Sequence, residues 1–135
     1  MVRIALIGQT AGKATKIEQR RLKLTAIDEV LRIARVRYLD DERASFETVV
    51  LPLNRFPGMS RDEVVASEIT EVAEEFGVVL GLARERVSTV QAGRAVAGHL
   101  DVREGAHLLK LDRITQTADG APIEWRVSLT VSNQP

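Results

Sequence analysis

Two arginines stand two residues apart in the stretch Val30-Leu-Arg-Ile-Ala-Arg-Val-Arg-Tyr38. Residues alternate across a strand, so Arg35 and Arg37 share one face if this stretch is extended. Leu31 and Ile33 lie on the same face, which is therefore apolar at one end and cationic at the other. Two guanidinium forks side by side suit a carboxylate or a phosphate. Glu47 on the returning strand belongs near them, and a plain cross-strand salt bridge on a solvated face is the simpler alternative. Arg113 and Glu124 repeat the arrangement, with Thr115 in the place of a second arginine. A turn centred on Asp119-Gly120 sets Thr115 opposite Glu124 and Arg113 opposite Arg126. Two directly opposed arginines repel unless an anion or a carboxylate lies between them. Ser67 is a further polar candidate. Its hydroxyl either contacts a ligand or restarts a helix as a second cap.

Other chemistries fit poorly. Gly8-Gln-Thr-Ala-Gly12-Lys13 has the flavour of a phosphate-binding loop, but only three residues separate the glycines and Ala14 stands where a magnesium-binding hydroxyl is required. His99 and His107 have no partner at metal-ligand spacing. No Ser-His-Asp arrangement is supported by spacing. The absence of cysteine excludes disulfides, thiol catalysis and Cys-based metal centres. It is compatible with a cytoplasmic location, and no metal or cofactor is expected. Gln19 to Lys23 is a small basic run, and Glu71, Glu74 and Glu75 form a solvated helix face.

The elements that must position these residues come from 135 residues, about one domain. Nineteen basic and nineteen acidic residues balance to a net charge of +0, which argues against nucleic-acid binding as the whole task. Val2 to Ile7 reads as a short strand or a linker, Gly8 to Gly12 as a break, and Thr15 to Leu24 as a strand. Val30 to Tyr38 and Phe46 to Pro52 form a hairpin around the polar turn 40–43. Ser60, with Glu63 three residues on, opens a helix by a capping box. Val65, Ile69, Val72 and Phe76 give that helix its buried stripe, and Gly77 stops it. Leu82 to Val90 is a strand, Gln91 to His99 a short helix, and Leu108 to Thr117 with Pro122 to Leu129 a second hairpin. The two hairpins look like copies. Val30 to Arg35 matches Leu108 to Arg113, and Ser45-Phe-Glu47 matches Pro122-Ile-Glu124. A hairpin built twice points to a pseudo-twofold sheet with a site at its centre.

From about Thr15 to Thr130 the order of these segments resembles the UTRA (UbiC transcription regulator-associated) domain. This is the effector-binding part of HutC-subfamily GntR-type bacterial repressors. The resemblance is carried by Val30 to Arg37, Glu47 leading to Leu51-Pro52, and Arg55-Phe-Pro-Gly-Met59. Ser67 to Gly77 is similar to the family's Ser-Leu-Tyr helix. Leu100 to Gly105, Leu108 to Arg113 and Asp119 to Glu124 complete the order. It implies an α+β, chorismate-lyase-like fold: an antiparallel sheet with flanking helices, built from two pseudo-repeated hairpin units. It also implies a small anionic metabolite effector, a homodimer, and DNA contact only through a winged-helix domain outside this chain. The expected division is a linker or extension over 1–14 and the effector-binding domain over 15–135. By resemblance, Arg35, Arg37, Glu47, Ser67 and Glu124 are effector-binding, with Arg113 beside them. Ile69 departs from a common tyrosine and Thr130 from a common aromatic, which leaves a sugar phosphate and a smaller organic acid as equal alternatives. The first repeat is expected to lack the helix that the second carries. A regulator rather than an enzyme is expected; a chorismate-lyase-like enzyme and a ligand-free dimerisation module are the alternatives.

Overall fold

A computed structural model describes residues 1–132. It holds six strands and three α-helices: β1 (Val2–Lys13), α1 (Lys16–Leu22), β2 (Glu29–Leu39), β3 (Glu42–Pro52), α2 (Ile69–Glu75), β4 (Leu80–Gln91), α3 (Arg94–Leu100), β5 (His107–Thr117) and β6 (Pro122–Val131). All six strands form one sheet in the order β1-β2-β3-β6-β5-β4. Every neighbouring pair that shares a ladder is antiparallel. The fold is α+β.

The duplication is real and extends further than the hairpins. Each half runs strand, helix, strand, strand, and the halves meet where β3 pairs with β6. The helices cross over the join: α1 packs toward β6 of the other half, and α3 toward β3. The first repeat therefore does have its helix, contrary to the expectation of a strand over Thr15 to Leu24. The reason is local. Thr15 and Glu18 form a capping box, with the Glu18 amide donating to Thr15 Oγ1 at 3.3 Å and the Thr15 amide to Glu18 Oε1 at 2.9 Å. Leu22 then buries against Val30, Val50 and Ile114, while Arg32 Nε grips the Glu18 carboxylate at 2.7 Å.

Within the segment 1–14, expected as a linker or extension with a short strand or linker over Val2 to Ile7, the strand runs on from Val2 to Lys13 as one edge of the sheet. β1 pairs with β2 along its length, with a bulge between Leu6 and Gly8. Gly8 and Gly12 sit inside this strand rather than in a phosphate-binding loop.

The helix expected from Ser60 starts only at Ile69. Gln9 explains the delay. Its Oε1 accepts from the Val65 amide at 3.0 Å, and its Nε2 donates to the Glu63 carbonyl. These bonds hold 63–65 along the sheet edge, where a helix cannot form. The apolar stripe survives the change: Val65, Ile69 and Val72 are buried against Leu31, Ile33, Val49, Leu51, Phe56 and Ile123 on one sheet face. The helices α1 and α3 cover the opposite face with two smaller clusters.

The hairpin turns conform to expectation with one trim. The first turn is Asp40-Asp41 alone, both at positive φ, and β3 already starts at Glu42. Gly120, at φ 93°, makes the second turn.

Candidate functional site

At the junction of the two halves, one sheet face changes from apolar to charged. The register places Arg35 opposite Glu47, Arg113 opposite Arg126, and Thr115 opposite Glu124. The last two pairings are those read from the sequence, and Glu47, expected near the two arginines, lies directly opposite Arg35. Arg35 is 1% exposed and donates from Nε to Glu47 Oε1 at 2.9 Å and from Nη1 to the Ser67 carbonyl at 3.1 Å. Ser128 Oγ donates to the other Glu47 oxygen at 2.9 Å. Arg37 lies half-buried beside this pair, with Nη2 at 3.4 Å from Glu47 Oε1. Thr115 Oγ1 is 3.3 Å from Glu124 Oε1, and Arg113 Nη2 approaches the same oxygen at 4.0 Å without a hydrogen bond.

Five of the six residues singled out in the sequence thus meet through their side chains. Ser67 meets them through its carbonyl; the residue itself is exposed. Ile69 is a core residue at the rim. His99 stacks on Phe46, with ring centroids 5.0 Å apart, on the sheet face covered by α3.

Two residues were missed, Ser128, which donates to Glu47, and Glu68. Glu68, just before α2, receives Arg37 Nη2 on one carboxylate oxygen and Arg126 Nη1 on the other, the latter at 2.6 Å. The signal for it was the opposed Arg113–Arg126 pair, which demanded an anion; nothing in the sequence said that Glu68 would supply it.

The electrostatics follow from burial. Burial alone would raise the Glu47 pKa, but Arg35, Arg37 and Ser128 together outweigh it and hold the carboxyl below its ordinary range. Glu68 behaves alike, with Arg37 and Arg126 outweighing its desolvation. Arg37 is likewise held above its ordinary value by Glu68 and Glu47 despite desolvation. Glu124 goes the other way. Burial dominates, the Thr115 hydrogen bond and Arg35 oppose it only partly, and its pKa is pushed up to about 7. Near neutrality the cluster therefore holds Arg35, Arg37, Arg113 and Arg126 against two fully ionised carboxylates, Glu47 and Glu68. Among the described residues, Arg35 Nη2, Arg113 Nε and Arg126 Nε are buried without a hydrogen-bond partner. A site with spare buried cationic donors and an excess of positive charge can bind an anion.

A cleft of about 360 Å³ opens onto this cluster between Glu68, Ile69, Leu80, Arg113, Thr115 and Arg126. A larger cavity of about 440 Å³ lies on the opposite face, lined by Arg21, Lys23, Arg84, Arg86 and Asp112. Its Lys23, Arg84 and Arg86 are exposed, and Arg21 is already paired with Asp112 at 2.6 Å. The smaller cleft is the better-built anion site because Arg126 is buried, Arg113 is mostly so, and each keeps a buried Nε without a partner. Among the described residues, no group of three or more His, Asp or Glu is placed to hold a metal ion.

The fold has close relatives among solved structures. It superposes with a TM-score of 0.88 on the ligand-binding domain of a putative GntR-family transcriptional regulator from Bordetella bronchiseptica, at 26% identity, covering 99% of this chain and 86% of that one. The effector domain of PhnF from Mycobacterium smegmatis shares the fold at a TM-score of 0.90 and 21% identity, covering 99% and 83%. The class is that of the ligand-binding domains of GntR-type regulators. More particularly, the chain belongs to the UTRA domain family, which matches residues 2–134. A probable fructoselysine utilization operon transcriptional repressor from Escherichia coli (strain K12) is 26% identical over 148 residues. That alignment takes in 94% of this chain and spans 61% of the repressor's length.

Proposed function

We propose that this chain is the effector-sensing domain of a HutC-type transcriptional regulator and that it binds a small anionic metabolite in the cleft beside Arg37, Arg113 and Arg126. One observation carries the reading: Arg113 and Arg126 line the cleft, Arg37 reaches its wall through Glu68, Arg35 lies buried behind, and three buried guanidinium nitrogens of this group lack acceptors. Arg35, Arg37, Arg113 and Arg126 supply the charge, Glu47 and Ser128 orient Arg35, and Glu124 accepts from Thr115, which lines the cleft. The Ser67 carbonyl fixes Arg35 rather than touching the ligand. In the whole protein, ligand binding biases a dimer between two states and so alters DNA binding by a winged-helix domain outside this chain. The relatives are regulators, which favours binding over turnover. The regulator is expected to work in the cytoplasm; among the described residues no helix is long and apolar enough to cross a membrane.

Calorimetry against a panel of sugar phosphates and organic acids tests the reading. Arg37→Gln is expected to weaken any ligand found by ~10–100-fold, the worth of one charged hydrogen bond. Unchanged affinity, or a panel without a binder, counts against it. Pyruvate release from chorismate would move the chain to the enzyme alternative instead.

A further inference from the structure

Glu68 does not behave like the other acids of the cluster. Glu47 is locked by strand register, by Arg35 and by Ser128. Glu68 instead reaches in from the segment that precedes α2, a stretch without regular structure. Its position would suit it to cap α2, yet its side chain makes no cap hydrogen bond. Both carboxylate oxygens are turned to the arginines, one to Arg37 and one to Arg126. It lies at the solvent boundary, 33% exposed against 10% for Arg126. It also forms part of the cleft wall. This is the posture of a ligand's anionic group, made by a residue of the chain itself.

We infer that Glu68 is a built-in competitor: its carboxylate occupies the anion position between Arg37 and Arg126, and an incoming anion binds by displacing it. The inference rests on the anion-site reading above and adds what that site must do to fill. Removing Glu68 takes one ionised carboxylate away from the four guanidiniums, so the opened site is more cationic than the closed one. A multiply charged ligand head therefore competes better than a monocarboxylate, and Glu68 becomes a residue that selects among anions. Displacement also has a mechanical consequence. The start of α2 is tied to the sheet by Arg37 and Arg126 through Glu68, and by Arg35 through the Ser67 carbonyl. Losing two of these three ties loosens the segment before α2 when ligand binds, which is a local signal of occupancy.

The test is titration of inorganic phosphate, a doubly charged probe near neutral pH, into the wild type and into Glu68→Gln, with amide hydrogen exchange followed over 63–72. If Glu68 fills the anion position most of the time, Glu68→Gln binds phosphate at least ~10-fold more tightly, because the competent fraction rises toward one. Exchange over 68–72 is fast in Glu68→Gln without ligand, and phosphate speeds it in the wild type. Glu68→Asp, one methylene too short to bridge both arginines, should fall between the two and guards against a folding defect in either variant. Equal or weaker phosphate binding by folded Glu68→Gln overturns the competitor while leaving the anion site standing, provided Arg37→Gln still weakens wild-type binding. No phosphate binding by either folded variant overturns both readings together.

Discussion

At the scale of single residues, the cluster contains two carboxylates with opposite habits. Glu47 has a depressed pKa, so its contribution to stability is present above its unfolded value near 4.5 and is lost as pH falls through the folded value. Removing one partner of a buried ion pair leaves the other uncompensated. Glu47→Gln is therefore expected to cost about 3–5 kcal/mol in urea unfolding, through stranded Arg35. Glu124 is raised from 4.5 to about 7. Its sign is the reverse: the folded state holds a proton that the unfolded state releases, so stability is full below about 4.5 and declines as pH rises through about 7. The decline amounts to about 3 kcal/mol at most, from the constant of 1.36 kcal/mol per unit. Glu124→Gln should flatten the stability profile between pH 4.5 and 8 and leave the protein more stable at the upper end. Urea midpoints measured across that range check it, and an unchanged slope would mean that Glu124 titrates normally.

At the scale of elements, the site depends on how strands and connections approach one another. Gly81 lies in β4 at the cleft wall, and a Cβ there would sit 2.3 Å from the Thr117 carbonyl oxygen. Backbone cannot move aside as a side chain can, so Gly81→Ala should destabilise by about 1–3 kcal/mol and shift the β4–β5 register near its bulge. Thermal unfolding and the amide spectrum of β5 read both effects. At the other end, Thr15→Ala removes half of the α1 capping box and should cost about 1 kcal/mol without touching the cleft. Thr15 to Leu24 shows why an element can be misread: its apolar residues are too few to set a period, and the T-x-x-E signal at Thr15 and Glu18 outweighs them. The late start of α2 has a different cause, since Gln9 on a distant strand takes the backbone bonds of Glu63 and Val65.

For the whole molecule, neutral net charge conceals a segregated field. Balanced charges overall coexist with a junction where four arginines outnumber the ionised acids. The two halves bring one edge each, and both edges are twelve-residue strands with exposed apolar side chains: Val2, Leu6 and Ile7 on β1, Leu82 and Val87 on β4. Long unprotected edges favour pairing with another chain. If self-association uses the β4 edge, Leu82→Lys with Val87→Lys lowers the sedimentation coefficient toward that of a monomer. An unchanged value would move the interface elsewhere.

What the sequence determined by itself was the local geometry of the hairpins. Strand alternation put Arg35 and Arg37 on one face with Leu31 and Ile33. Hairpin register put Arg126 opposite Arg113, because pairing in an antiparallel ladder follows from the turn, and it put Glu47 near the Arg35–Arg37 pair; the bulge between Arg37 and Tyr38, which the sequence did not announce, set Glu47 directly opposite Arg35. It also announced the duplication, and the opposed arginines announced an anion. The tertiary structure decided which group answers them. Glu68 comes from a segment whose path is set by Gln9, Phe56 and the face of the sheet, contacts that carry no local signature. The depth of Glu124, and with it the proton it keeps, likewise depends on the packing of both halves around it. Burial and long-range placement are properties of the assembled sheet, so only the fold could turn two ordinary hairpins into one cationic cleft.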